Sequence, residues 1–305
     1  MKQSITLKST GPFLLLTFIY FIVGFLTTVN GQCQGPLQVA FLSEVTATRN
    51  FLATLISFAF FMGYLLNSAK TGRLLNKIGY KKTLIRSMMV MVLALAFYLA
   101  SAIIAEYWGR EGVRISQDFV PFGYFVFLLG AYLMGTSAAM LQVVINPYIV
   151  AYPLPGTQPV QRMNFTCAVN SFGTTIAPFF VTGVMFAGVS LESVSADQLT
   201  IPFLVMMLVI ALTTWTTSRA NLPDIEGTRD VTDDKENERK TDASVQTSSA
   251  VEEKSKQRSI WSFRHLKYGV ITIFFYVGTE VGIGNNMNLH AMDLMGQGYD
   301  FSPAL

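Results

Sequence analysis

The sequence predicts an all-α polytopic membrane protein, and three observations carry that prediction. Only 13% of the 305 residues are charged and 51% are apolar, whereas soluble domains carry about 25% charged residues. The charges are also gathered: Arg219–Lys267 holds 10 of the 22 basic and 10 of the 19 acidic residues. Elsewhere the chain runs apolar for about 20 residues at a time, the length of helix that crosses a hydrocarbon core of about 30 Å. A soluble enzyme, a secreted disulfide scaffold and a disordered chain are all at odds with this composition.

Seven stretches reach or approach that length: Phe13–Phe41, Phe51–Asn67, Leu84–Ile104, Phe119–Tyr148, Phe165–Val189, Ile201–Thr217 and Tyr268–Leu289. Lys2 and Lys8 precede the first as in a leader peptide. Its apolar run exceeds the roughly 7–15 residues of a leader, and six more spans follow, so it reads as a retained helix. With the N-terminus inside, 19 Lys and Arg fall on the inner side against Arg49, Arg110 and Arg114 outside. That asymmetry sets the orientation, and the N-terminus is expected in the cytoplasm.

The segment Leu222–Gln257 has almost no large apolar residue and reads as a flexible linker. The expected organisation is therefore a six-helix bundle over residues 1–218, a cytoplasmic linker over 219–264, and over 265–305 the first helix of an incomplete second bundle. On this reading the chain is truncated after its seventh helix. The net charge of +3 cancels locally, so no nucleic-acid partner is expected. Cys33 and Cys167 lie in apolar segments and read as buried free thiols. His265 and His290 are far apart, and no metal site or cofactor is expected.

Polar groups at membrane depth are costly and usually face a cavity or a neighbouring helix. Asn30, Gly31, Gln32, Gln34, Gly35 and Pro36 interrupt the first span. Gln142 and Asn146 lie four apart on the fourth, followed by Pro147. Tyr276, Glu280 and Gly284 share a face of the seventh, followed by Asn285, Asn286 and Asn288. First, fourth and seventh are the leading helices of successive three-helix units, and interrupted spans at matching places in repeats point to a transporter's central site. The alternative is that these amides bond helix to helix. In the fifth span Asn170 is a further cavity candidate, while Arg162 is expected to snorkel to the headgroups. Glu280 is the only acid well inside a span, so it is the natural proton carrier. Between the second and third spans, Gly72 and Gly79 are expected to allow a tight turn in a basic loop.

These residues resemble a known family. Gly72-Arg73-Leu74-Leu75-Asn76-Lys77-Ile78-Gly79-Tyr80-Lys81-Lys82 is similar to the loop signature of the major facilitator superfamily, with Asn76 where an acid usually stands. Leu141–Tyr148, Asn170-Ser171-Phe172-Gly173 and Phe275–Val281 resemble its fucose and glucose/galactose permease branch. The resemblance implies the major facilitator fold and a sugar:proton symporter working by alternating access. Gly72, Arg73, Asn76, Lys77 and Gly79 would form its cytoplasmic gating loop. Fucose-transporting members carry acids in the first and fourth helices, where this chain has Gly31 or Gln32, and Gln142. The coupling role therefore falls to Glu280.

The expected function is uptake of a hexose or deoxyhexose with a proton, or with sodium in its place, across a bacterial cytoplasmic membrane. Asn30, Gln32, Gln142, Asn146, Asn170 and Asn285 would bind sugar hydroxyls, with Tyr276 as an aromatic partner. The lipid bilayer is the surrounding medium, a monomer is expected, and no enzymatic chemistry is. Rival readings are a uniporter, a carrier of another polar solute, a non-transporting sensor or a remnant.

Overall fold

Long apolar runs broken by glycine, proline and charge become long helices with short turns. A computed structural model describes residues 2–42, 45, 48–108, 111–115, 118–187, 194, 196–223 and 262–295. The helices are α1 (Lys2–Gln32), α2 (Gln34–Leu42), α3 (Arg49–Ile78), α4 (Tyr80–Trp108), α5 (Phe122–Ala151), α6 (Pro159–Phe180), α7 (Thr200–Arg219) and α8 (Arg264–Met295). Six described stretches are long and apolar enough to cross a membrane, one on each of α1 and α3 to α7, with that on α6 running to Met185. They match the first six predicted spans, and the chain is a multi-pass membrane protein. The seventh predicted span lies within α8, which belongs to a second unit of the chain. Residues 224–261 of the predicted linker lie outside the described residues.

Each boundary has a local cause. The predicted interruption of the first span narrows to Cys33. The Cys33 N–H still donates to Val29 O at 2.9 Å, and Leu37 N–H to Cys33 O at 2.9 Å. Between α3 and α4 the expectation of two turning glycines is corrected. Gly72 lies inside α3, and Gly79 alone makes the turn, with φ +82°. Only glycine enters that region without a Cβ penalty. Between α5 and α6, Gly156 turns at φ +77°. Gln158 and Gln161 then close a reciprocal cap ahead of α6, with Pro159 in its first turn, where a missing N–H costs nothing.

A feature absent from the sequence reading is an antiparallel hairpin, β1 (Gly112–Ile115) with β2 (Asp118–Pro121), in the connection from α4 to α5. Asp118 of this hairpin is buried. Its carboxylate accepts from the Thr48 N–H at 2.9 Å and the Thr48 hydroxyl at 2.8 Å, which places negative charge at the start of α3.

The packing of α1 to α7 follows a rule. The main helix pairs are α1 with α6, α3 with α5, and α4 with both α5 and α7. Number the six spans in order and exchange the first three with the last three. The α1–α6 pair then becomes α5–α3, and α4–α7 maps onto itself. An internal two-fold repeat of three-helix units produces this pattern. The α4–α5 pair has no counterpart among the main pairs.

Without a hydrophobic drive between helices in lipid, close approach depends on small residues. A Cβ on Gly135 of α5 would run into the Phe60 carbonyl of α3, and one on Gly63 into Tyr132 O and Thr136 N. A Cβ on Gly24 of α1 would stand 2.6 Å from Asn170 O, and one on Gly173 of α6 2.6 Å from Phe21 O. Aromatic pairs reinforce the α1–α6 contact, with Phe25 meeting Phe180 edge-on at 5.2 Å and Phe13 stacking on Phe165 at 6.3 Å.

Candidate functional site

Four helices, α1, α3, α5 and α6, bring polar side chains together around Tyr20. Tyr20 is buried, with the Asn146 amide of α5, the Cys167 thiol of α6 and Tyr64 of α3 close to its hydroxyl. Asn146 Oδ1 is buried and has no partner among the described residues. Gln142, one turn away on α5, is half-buried and likewise without a hydrogen-bond partner there. Below this group Thr17 of α1 and Thr166 of α6 share a 3.3 Å hydrogen bond.

The structure divides the predicted site residues. Asn146 stands at this cluster, with Gln142 one turn back on the same helix. Asn170 touches its backbone: its Nδ2 donates to Tyr20 O at 2.6 Å, so its amide bonds α6 to α1. Asn30 lies elsewhere. Its carbonyl accepts from the Tyr98 hydroxyl of α4, in an interior pocket lined by Leu26, Val29, Leu95, Phe127, Phe203 and Met206. Ten residues of helix put it about 15 Å along α1 from Tyr20. Gln32 is half-buried near the Cys33 break. Tyr276 and Glu280 are exposed on α8 within its own unit, and Asn285 lies beyond the described side chains of that helix. Of the predicted gating loop, Gly72, Arg73, Asn76 and Lys77 lie in the last turns of α3 and only Gly79 in the turn; Arg73, Asn76 and Lys77 are exposed, Gly72 and Gly79 half-buried. Both cysteines are free; Cys33 is buried, whereas Cys167 is only half-buried.

Two residues escaped the sequence reading, and a third had a different role from the one expected. Tyr20 passed as one more aromatic in an apolar run, although Thr17, Tyr20 and Gly24 repeat at helical spacing and mark one face. Asn67 was taken as the end of a span. Its Nδ2 lies 3.1 Å from Gly63 O, 3.1 Å from the Tyr132 hydroxyl and 3.0 Å from Thr136 Oγ1, which bonds α3 to α5 beside the glycine crossing.

Arg162 is the third, and here the expectation of snorkelling is corrected: it is 7% exposed. Nε donates to Ile149 O at 3.1 Å and Nη2 to Val150 O at 2.7 Å. Nη1 donates to both the Thr157 carbonyl and hydroxyl at 2.9 Å. The last carbonyls of a helix lack internal donors and carry partial negative charge, so a guanidinium there satisfies both needs. Arg162 thus fastens the start of α6 to the end of α5, one turn beyond Asn146.

The chain is 28% identical over 272 residues to a glucose/galactose transporter of Brucella abortus, covering 88% of this chain and 56% of that one. It is 26% identical over 282 residues to a putative glucose/galactose transporter of Helicobacter pylori, at 88% and 57% coverage. The L-fucose-proton symporter of Escherichia coli is 23% identical over 299 residues, at 92% and 60% coverage. The crystal structure of the E. coli fucose:proton symporter superposes with a TM-score of 0.52 at 20% identity, over 70% of this chain and 49% of that one. This chain is similar to glucose/galactose transporters and to an L-fucose-proton symporter, and it shares the fold of the fucose:proton symporter over the part that superposes. It spans a little over half the length of the relatives it matches. No family model matches it. These relatives are transporters, not enzymes.

Proposed function

We propose that this major facilitator chain is part of a secondary carrier for a hexose or deoxyhexose, and that the Tyr20 cluster contacts the sugar. The observation that carries this reading is the unpartnered Oδ1 of Asn146, buried beside the Tyr20 hydroxyl. A buried acceptor without a donor costs about 1–3 kcal/mol, and a sugar hydroxyl entering between α1, α3, α5 and α6 would supply the donor. Tyr20 and Tyr64 offer apolar ring surface to a pyranose as well as hydroxyls. The printed names of the relatives, glucose/galactose transporter and L-fucose-proton symporter, support the same substrate class. The membrane is a bacterial cytoplasmic one, with the N-terminus inside.

The test is uptake of labelled glucose, galactose and fucose by cells expressing the complete reading frame, with and without a protonophore. Accumulation that collapses with the protonophore is the expected result. Absence of uptake of every sugar, with the protein shown to be in the membrane, would overturn the reading. Asn146→Ala is expected to raise the half-saturation concentration about tenfold, the equivalent of one hydrogen bond lost from a desolvated site. Tyr20→Phe, which removes only the hydroxyl, should act in the same direction and leave expression intact.

One observation favours a second reading. The cluster holds no carboxylate, so proton coupling rests on Glu280 of α8. Glu280→Gln should abolish accumulation while leaving sugar equilibration. If the unaltered carrier only equilibrates sugar, it is a uniporter.

A further inference from the structure

The chain that leaves α7 turns back onto the bundle. Ala220 is extended, with φ −67° and ψ 139°, and Pro223 keeps the residue before it, Leu222, out of the helical region. Ala220 O accepts from Lys81 Nζ of α4 at 2.8 Å and from the Leu222 N–H at 3.0 Å. Leu222 is buried in the bundle core, and Pro223 O accepts from the Tyr148 hydroxyl of α5 at 2.7 Å. Residues 220–223 thus cross about 10 Å as a strap from the start of α4 to the end of α5. The first two residues of the predicted flexible linker, Leu222 and Pro223, are part of it.

What the strap grips is a turn that its own helix holds weakly. Pro147 has no N–H, so the ladder of α5 lacks the bond that would close on Val143 O. The residues beyond it are tied from outside. Arg162 of α6 donates to Ile149 O and Val150 O. The Tyr80 ring lies 5.1 Å from that of Tyr148, which is fully buried, and the strap holds the Tyr148 hydroxyl. Asn146 stands immediately before the missing bond. Its place beside Tyr20 therefore follows from where these ties hold the last turn of α5.

We infer that Tyr148 is a positioning residue for the proposed sugar site. Held by the strap, it fixes where the end of α5 stands and so where Asn146 meets the sugar. Tyr148 and Asn146 are two residues apart and lie on different sides of the helix, so Tyr148 acts through the backbone and does not touch the sugar. This role rests on the proposed function, whereas the strap is a feature of the fold.

The experiment takes the protein from the complete reading frame and reads hydrogen exchange and sugar uptake side by side. Tyr148→Phe removes only the hydroxyl. Backbone amides of residues 220–222 should then exchange about tenfold faster, the equivalent of one hydrogen bond. In uptake of labelled glucose, galactose and fucose, half-saturation should rise about threefold with the maximal rate unchanged. Leu222→Gln loosens the strap from its other side and leaves the Tyr148 hydroxyl in place, so it should reproduce both effects. In an Asn146→Ala background neither change should raise half-saturation further, because the group being positioned is gone. Unchanged exchange in both variants would overturn the strap as a tie. Faster exchange with unchanged half-saturation, or a full further rise in the Asn146→Ala background, would overturn the positioning role. Uptake that is absent, or indifferent to Asn146→Ala itself, would refute the sugar site and the positioning role together, while the exchange result still decides the strap.

Discussion

Arg162→Ala is expected to lower stability by about 3 kcal/mol, the sum expected for several charge-assisted bonds to carbonyls at a buried helix end. Val150 O and the Thr157 carbonyl and hydroxyl all lose the Arg162 donor at once, while Ile149 O keeps only the long 3.4 Å bond from the Tyr152 N–H. Water reaches them poorly because the guanidinium that fills the space is itself buried. Arg162→Lys should recover only part of the loss, since a single ammonium cannot reproduce a planar fork directed at three carbonyls. In a thermal scan in micelles the alanine variant should melt roughly 6–12 °C below the parent, with the lysine variant between them. An alanine variant within about 1 °C of the parent would show that the network contributes little. Loss of the anchor also frees the turn that carries Asn146, so under the proposed function sugar affinity should fall alongside stability.

Gly135→Val is expected to have an effect of similar size by the opposite route. Here nothing is removed; a side chain is added where the Phe60 carbonyl of α3 already stands. The obstacle is backbone, which cannot rotate away, so α3 and α5 must separate along their whole crossing. Overpacking of cores costs about 1–3 kcal/mol even where side chains can adjust, and the rigid neighbour places this case at the upper end. Separation would also pull Asn67 from the Tyr132 and Thr136 hydroxyls. The thermal midpoint measures the cost. Gly72→Ala is the control: it sits in α3 with no atom near its missing Cβ, and as a helix-interior replacement it should stabilise slightly. Equal midpoints for Gly135→Val and the parent would refute the close-packing argument.

The six spans were legible because apolar length and charge placement survive without knowledge of any partner. The pairing of Gln142 with Asn146 was legible for the same reason, since spacing four on a helix needs no tertiary information. What the sequence does not carry is direction across the bundle. Asn30 and Asn146 look equivalent as amides near the ends of leading helices, yet one meets Tyr98 in the apolar interior and the other meets Tyr20. Arg162 shows the same limit. A basic residue at a span boundary reads as headgroup-facing until the last carbonyls of α5 are found within its reach. The β hairpin was hidden because its two strands are only four residues each, too short for a period of two to declare itself.

The glycine contacts have a mechanical consequence. They lock α1 to α6 and α3 to α5, whereas α1 and α6 pack only lightly on α5. The bundle is therefore two plates, one of α1 with α6 and one of α3, α4, α5 and α7. Tyr20 and Cys167 stand on the first plate, Tyr64 and Asn146 on the second, so the polar cluster straddles the joint between them. Arg162 rivets one end of that joint through α5 and α6. Plates parting against that rivet would open as a wedge, widest away from it, and under the proposed function a solute held at Asn146 would bear on the narrow end, where a small displacement produces a large angular swing at the far rim.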